Sequence, residues 1–220
     1  MRGGRALRRA EVVGAAVLWA VLCVGAAVMA LTLPAYTSSM TRALDVSRSS
    51  GLPGADVSQL SGAVRALVAD AHYDPLPVTW RGLPAFDQAA VSHLLDVRTV
   101  IAGARLATGN ALLLLLVYVG AAIAFRRLDR LREGLRAAAG MLSVAVLLAV
   151  VAAFADFEWL FTRFHGLFFT SGTWTFPADS MLIRLFPESF WVASGACWAA
   201  LVMLAAALLW AVARGLRSAP

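Results

Sequence analysis

Two histidines stand in sequence settings that favour proton transfer. His93 lies three residues before Asp96, and His165 lies among four phenylalanines at positions 161, 164, 168 and 169. Histidine is the side chain whose ordinary pKa lets it exchange protons near neutral pH. Residues three apart share one face of a helix, so Asp96 can orient the His93 ring and favour its protonated form. These histidines are therefore the candidates for a general acid and base.

The surroundings of His165 indicate a membrane boundary. The segment 156–174 follows directly on an uncharged apolar run. Aromatic rings favour the lipid–water boundary, which accommodates both an apolar body and a polar edge. A titratable ring at the depth of acyl chains predicts proton-transfer chemistry on a lipid. The simpler interpretation, a packed interfacial histidine, is weakened by the second histidine in a similar setting.

The composition indicates an integral membrane protein. The chain has 220 residues, of which 60% are hydrophobic, and its mean hydropathy is +0.76. These values are too apolar for an ordinary soluble domain. A membrane-spanning helix needs about 20 apolar residues. Four uncharged stretches meet this requirement: 12–33, 107–125, 137–155 and 192–213.

The arginines predict the orientation of these spans. The chain has no lysine, and the segments 1–11, 126–136 and 214–217 hold eleven arginines against three acidic residues. The segments 34–106 and 156–191 hold eight arginines against ten acidic residues. Positive charge near span ends stays cytoplasmic, so both termini are predicted inside. Because the charge follows the spans rather than one soluble face, the net charge of +6 does not indicate nucleic-acid binding.

The predicted fold is an all-α membrane four-helix bundle with a small extracytoplasmic α+β domain and both termini cytoplasmic. In order, we predict a cytoplasmic tail and first span (1–33), an extracytoplasmic domain with the His93 helix (34–106), the second span (107–125), a cytoplasmic loop (126–136), the third span (137–155), an extracytoplasmic loop with His165 (156–191), and the fourth span with a cytoplasmic tail (192–220).

Local signals predict the elements between the spans. Aspartate accepts hydrogen bonds from the free amides of a first helical turn, so Asp56, Asp87 and Asp179 are each predicted to cap a helix. The runs 78–80 and 83–86 flank an Arg-Gly pair. This pattern predicts a small β-hairpin, whose prolines restrict it to edge positions.

Four pieces of sequence, in a fixed order, resemble a family of four-span membrane proteins that includes the lipoprotein intramolecular transacylase. They are Ser92-His-Leu-Leu-Asp-Val-Arg98, Phe164-His-Gly-Leu-Phe-Phe169, Trp174 and Leu182-Ile-Arg-Leu-Phe-Pro-Glu-Ser-Phe-Trp191. The resemblance covers most of the chain. It implies a four-helix membrane domain with a small, partly β extracytoplasmic domain, and it implies that His93 and His165 are the functional histidines.

The resemblance implies acyl transfer within one lipoprotein molecule in the bacterial cell membrane. The sn-2 acyl chain of a diacylglyceryl-modified cysteine moves to that cysteine's α-amino nitrogen and leaves a lyso-form lipoprotein. Amine and ester belong to one substrate, so positioning supplies much of the rate and no enzyme nucleophile or cofactor is needed. The reaction needs a base, an oxyanion donor and an acid. The expected partners are diacylglyceryl-modified lipoproteins and membrane phospholipids, at the extracytoplasmic face.

We expect His165 to be the principal base and acid, because its Phe-rich setting places it at acyl depth. His93 is then the second proton carrier or the oxyanion donor, although the two roles can be exchanged. We expect His72 to be structural. A wider set either positions the glyceryl group, supports the histidines or anchors the protein at the interface: Asp96, Asp156, Glu158, Arg163, Trp174, Arg184 and Glu188.

Two other classes of function stay open at this stage. One is a metalloenzyme in which both histidines and the carboxylates at 96 and 156 or 158 hold a divalent ion. No compact ligand spacing supports it, and Cys23 and Cys197 both lie inside apolar spans. The other is a non-catalytic membrane scaffold whose external domain binds a partner. A scaffold keeps its function when both histidines are replaced.

Overall fold

A computed structural model describes residues 2–70 and 79–216; His72 lies outside the described residues. The protein is mostly helical and divides into two compact units. Unit one comprises Met1–Val28, Arg105–Ala155 and Trp198–Pro220, and unit two comprises Met29–Ala104 and Asp156–Cys197. In chain order the elements are α1 (Arg2–Leu31), α2 (Pro34–Ala43), α3 (Val46–Ser50), α4 (Gly54–Ala69), β1 (Thr79–Trp80), β2 (Leu83–Pro84), α5 (Gln88–Ala124), α6 (Leu128–Ala155), α7 (Phe157–Phe168), α8 (Met181–Leu185) and α9 (Glu188–Gly215).

Four helices are long and apolar enough to cross a membrane, which confirms the predicted number of spans. These helices are α1, α5, α6 and α9. Residues 125–127 alone join α5 to α6, so the predicted loop 126–136 is helical from Leu128 onward. Its alternating arginines and acidic residues are compatible with a helix because side chains three and four apart attract one another.

Small residues dominate the core of unit one. Its buried side chains include Ala16, Ala138, Ala139, Ala206 and Ala213. Small side chains let membrane helices approach closely, and packing replaces the hydrophobic effect as the source of association. Large apolar residues instead point outward: Leu113, Val117, Leu147 and Phe154 are all exposed. This distribution suits a surface that faces lipid.

Ion pairs join α1 to α6 in unit one. The Arg8 guanidinium donates to Glu133 Oε1 at 2.6 Å and to Asp129 Oδ2 at 3.1 Å, and Arg130 pairs with Glu11. The Arg8 group is about half exposed, so its pairs add little stability. They do fix which turns of the two helices face each other.

Gly25 marks a close approach of α1 to α5. A Cβ atom at this position would lie 3.0 Å from Thr108 Cβ and 3.2 Å from Thr108 Cγ2, and it would overlap Thr108 Oγ1. Because threonine branches at Cβ, rotation about χ1 cannot remove all three contacts. The two helices can therefore pack at this distance only with glycine at position 25.

We predict that Gly25→Ala destabilises unit one by about 1–3 kcal/mol, the usual cost of overpacking. Gly14→Ala is the matched control, because a Cβ at Gly14 meets nothing within 4 Å. Thermal unfolding in detergent should show a lower Tm for Gly25→Ala than for Gly14→Ala. Equal Tm values would contradict the close approach.

The core of unit two joins helices from distant parts of the chain. Leu60, Leu67, Leu185, Phe186 and Phe190 are among its buried residues. An aliphatic and aromatic core of this kind is held by ordinary hydrophobic burial. It packs the chain around His93 to the chain that follows His165, so it positions the site.

The predicted hairpin is confirmed as a two-stranded antiparallel sheet. Thr79 pairs with Pro84, and Trp80 pairs with Leu83. Arg81 and Gly82 both have positive φ, 52° and 79°, as the two-residue turns favoured in hairpins require.

The predicted helix caps are confirmed in one case of three. Asp87 Oδ1 accepts a hydrogen bond from the Ala90 amide at 2.7 Å, so it caps α5 as predicted. Asp56 is not a cap, because α4 begins two residues earlier at Gly54; instead it accepts a 2.8 Å hydrogen bond from the Trp80 indole. Asp179 is not a cap either, because Ser180 accepts from the first turn of α8.

Candidate active site

α7 carries His165 and begins at a well-defined cap. The Asp156 carboxylate accepts a 2.8 Å hydrogen bond from the Trp159 amide, and Glu158 lies in the first turn, where the helix dipole favours negative charge. Phe157, Phe161 and His165 follow at intervals of four and therefore share one face. The spacing of residues in α7 thus places the His165 imidazole on the same helix face as the rings of Phe157 and Phe161.

The structure brings the two sequence-predicted histidines together in unit two. Their ring centroids lie 6.3 Å apart, with 31° between the ring planes. His93 is 7% exposed and His165 is 9% exposed. Buried polar side chains are uncommon, and a pair of buried imidazoles from separate helices is more specific than either residue alone.

The backbone of α7 determines the tautomer of His165. Its Nδ1 lies 2.8 Å from the Phe161 carbonyl oxygen. A carbonyl oxygen can only accept a hydrogen bond, so Nδ1 carries the proton and donates it. In the neutral ring the Nε2 atom therefore keeps a lone pair, which suits it to act as a base.

Aromatic side chains enclose both imidazoles. The His165 ring centroid lies 4.0 Å from that of Phe161 and 4.8 Å from that of Trp174. Phe169 contacts both histidines, at 4.9 Å from His93 and 5.7 Å from His165. Phe176 completes the enclosure at 5.6 Å from His93. Sequence reasoning missed Phe176, because it lies in a segment without helix or strand and no spacing marks it.

Burial controls the protonation of His165. Removal from water lowers the pKa of the His165 imidazole below its ordinary value, and the hydrogen bond to the Phe161 carbonyl opposes this shift only in part. His165 is therefore neutral at pH 7. Two imidazoles this close also disfavour simultaneous protonation of both rings.

Two buried nitrogen atoms in this cluster have no hydrogen-bond partner among the described residues. They are His93 Nδ1 and the indole Nε1 of Trp174. The predicted orienting group, Asp96, is exposed, and no hydrogen bond joins it to His93 within the described chain. Asp96 acts on His93 only through its charge. Its supporting role stays a prediction.

The other predicted supporting residues make interactions of their own. The Arg163 side chain is exposed, and its Cζ atom lies 5.7 Å from the centroid of the Trp159 ring. Glu188 is an exposed residue in the first turn of α9. Arg184 donates two hydrogen bonds to the Ser50 carbonyl, at 2.7 and 3.2 Å, and so ties α8 to the end of α3. Their roles in binding a substrate stay predictions.

The predicted alternative of a metal centre lacks a ligand set in the described parts of the chain. Within residues 2–70 and 79–216, no three His, Cys, Asp or Glu side chains lie close enough together to hold a metal ion. Cys23 and Cys197 are free thiols. The described residues place two buried imidazoles in an apolar enclosure.

Four helices able to cross a membrane indicate an integral membrane protein, and its buried imidazole pair has the chemistry that a general acid and base require. The sequence matches the model of the lipoprotein intramolecular transacylase Lit family over residues 12–191. The chain belongs to this family, and the protein is therefore a multi-pass membrane enzyme. No curated protein matches the sequence significantly.

Solved structures show the same fold. The membrane-integral lipoprotein intramolecular transacylase Lit from Bacillus cereus matches with a TM-score of 0.81 and 14% identity, over 96% of each chain. Two variants of that protein, with one histidine replaced by arginine or by alanine, match with TM-scores of 0.77 and 14% identity. These matches cover 98% of this chain and 94% and 96% of the respective variants.

We predict that the Tm in detergent falls as the pH drops through about 6.5, the ordinary pKa of histidine. The pKa of His165 is lower in the folded protein than in the unfolded chain, so the unfolded chain binds a proton there more readily. Above about pH 6.5 the ring is neutral in both states and the fold keeps its full stability; below that pH, protonation favours the unfolded chain. His165→Phe should flatten the fall. An NMR titration that places the His165 pKa above 6.5 would contradict this.

Proposed function

We propose that the protein moves the sn-2 acyl chain of a diacylglyceryl-modified lipoprotein to the α-amino nitrogen of its N-terminal cysteine, with His165 as the principal base and acid and His93 as the second functional histidine. The observation that carries the proposal is the pair of buried imidazoles 6.3 Å apart, one of them held with a free Nε2 lone pair. Membership of the transacylase family supports lipoprotein as the substrate.

In the first step, the lone pair of the substrate's neutral amino group attacks the ester carbonyl carbon, an N–C bond forms, and the carbonyl π electrons move onto the oxygen as an oxyanion. His165 Nε2 accepts the one proton that the nitrogen loses as this bond forms. A base that is neutral at pH 7 is needed here, because the attacking nitrogen becomes positively charged and must lose a proton to become an amide nitrogen. The lowered pKa of His165 supplies that neutral base.

In the second step, the tetrahedral intermediate collapses and the bond from the acyl carbon to the glyceryl oxygen breaks. The proton on His165 passes to this oxygen, so the base of the first step becomes the acid of the second. One amide forms, one ester is lost, and no water is consumed. His93 supports the same centre as the second proton carrier or as a donor to the oxyanion.

The aromatic enclosure favours transfer over hydrolysis. Both imidazoles are more than nine-tenths buried, and Phe161, Phe169 and Trp174 cover His165. A site that excludes water keeps the amine as the only nucleophile near the ester. The same rings offer an apolar surface to the acyl chain.

We predict that His165→Ala and His93→Ala each lower formation of the N-acyl, monoacylglyceryl lipoprotein by about 10²-fold or more, the usual contribution of a general acid or base. Mass spectrometry of lipoprotein N-termini from cells expressing each variant measures this. His72→Gln is the control, because we expect that histidine to be structural. Unchanged products in His165→Ala would refute the proposal and favour a membrane scaffold.

The arginines support an extracytoplasmic site. We propose that both chain termini and residues 126–136 are cytoplasmic, because these segments are rich in arginine. The segments that carry His93 and His165 alternate with them along the chain and therefore face outward. Histidines on this side of the membrane can act on lipoproteins that have been translocated across it.

We predict that Ser171→Cys, made in a chain with Cys23→Ala and Cys197→Ala, reacts with a membrane-impermeant maleimide in cells whose cytoplasmic membrane is intact and whose outer layers admit the reagent. In the same background, Ser218→Cys should react only after the cytoplasmic membrane is permeabilised. The reverse pattern would contradict the proposed orientation.

A further inference from the structure

Trp174 places an unpaired hydrogen-bond donor beside the candidate base. Its indole Nε1 is buried and has no partner among the described residues, and its ring centroid lies 4.8 Å from that of His165. A buried donor without a partner costs about 1–3 kcal/mol. Such a group in a folded protein needs a physical reason.

Two other indoles of unit two show the usual solution. Trp80 Nε1 donates to the Asp56 carboxylate at 2.8 Å, and Trp191 Nε1 donates to the Phe186 carbonyl at 3.0 Å. Trp191 neighbours the enclosure without covering either histidine: its ring centroid lies 6.2 Å from that of Phe161. Among the described residues, this neighbouring indole has a hydrogen-bond partner and that of Trp174 has none.

A second unpaired nitrogen lies on His93. Its Nδ1 is buried without a partner in the described residues, and its ring is 6.3 Å from His165. His93 and Trp174 are therefore both adjacent to the ring whose Nε2 accepts the substrate's proton. A neutral imidazole carries its proton on one of its two nitrogen atoms, and the tautomer with the proton on Nδ1 makes His93 a donor here. Together with the Trp174 N–H, it gives the pair of donors that stabilises an oxyanion in acyl transfer.

We propose that the Trp174 Nε1–H group and His93, in the tautomer that carries its proton on Nδ1, donate hydrogen bonds to the carbonyl oxygen of the ester that is cleaved. This inference rests on the proposed function and assigns His93 to the oxyanion rather than to a second proton transfer. As the amine attacks, the carbonyl π electrons move onto this oxygen, and both N–H groups donate to it. When the glyceryl C–O bond breaks, the carbonyl re-forms and the donors are released.

The carbonyl oxygen reaches these donors by parting the aromatic enclosure. Both nitrogen atoms are covered in the described structure, and Phe169 and Phe176 cover His93. Neither phenylalanine belongs to a helix or strand, since both lie between the end of α7 and the start of α8. An acyl chain can therefore displace them without unfolding a regular element.

The test compares Trp174→Phe with Trp191→Phe in purified protein, with a synthetic S-diacylglyceryl-cysteine lipopeptide as substrate and mass spectrometry as the assay. Phenylalanine keeps an aromatic ring and removes the N–H. For Trp174→Phe we expect kcat to fall by about 10²-fold, as when one oxyanion donor is lost. KM should change little, and the Tm should stay the same or rise because an unpaired buried donor is removed.

Trp191→Phe should show the opposite result. Its N–H already has a partner, so the Tm should fall while kcat stays within about twofold. Neither tryptophan titrates, so the pH–rate profile of Trp174→Phe should keep the shape of the wild-type profile. If Trp174→Phe does not fold, benzothienylalanine at position 174 keeps the bicyclic shape without the N–H and has the same expected outcomes.

Two results would overturn the inference. One is a wild-type kcat in Trp174→Phe. The other is that Trp174→Phe and Trp191→Phe both lose kcat and show the same fall in Tm. His165→Ala distinguishes this failure from failure of the proposed function. If His165→Ala is inactive while Trp174→Phe is fully active, only the oxyanion assignment is wrong. If His165→Ala is active, the proposed function itself is wrong.

Discussion

Removal of two imidazoles from water is the constraint on which the candidate site depends. An imidazolium ion loses hydration when it is buried, so the enclosure of His93 and His165 favours their neutral forms. A charged pair is disfavoured further by their separation of 6.3 Å. The doubly protonated pair is therefore the least favoured state of the site. The proposed mechanism depends on this property, because it needs a site that takes up one proton and gives it back.

Helix caps set where the two histidines lie. Asp87 starts α5 and Asp156 starts α7, so His93 falls in the second turn of one helix and His165 in the third turn of the other. The core of unit two, which includes Leu94, Leu185 and Phe186, then packs the helical turn of His93 with the chain that follows α7. Local capping and distant packing thus each supply part of the geometry.

Sequence reasoning predicted the features that depend on local pattern. The four spans follow from hydropathy, the Asp87 cap from side-chain chemistry, and the His93–His165 pair from residue type and resemblance. It failed where tertiary contacts decide: Asp56 binds the Trp80 indole instead of capping a helix. The sequence equally contains no sign that the Trp174 donor has no partner among the described residues, because this can be recognised only from the positions of its neighbours.

The group that orients His165 is a main-chain carbonyl, at Phe161. In many histidine sites a carboxylate performs this task, and a single codon change can abolish it. No substitution removes a carbonyl, so only a change that unwinds this turn of α7 can release the ring. The tautomer of His165 therefore depends on the backbone of α7 and on no side chain, while the Phe161 side chain has the separate task of covering the imidazole.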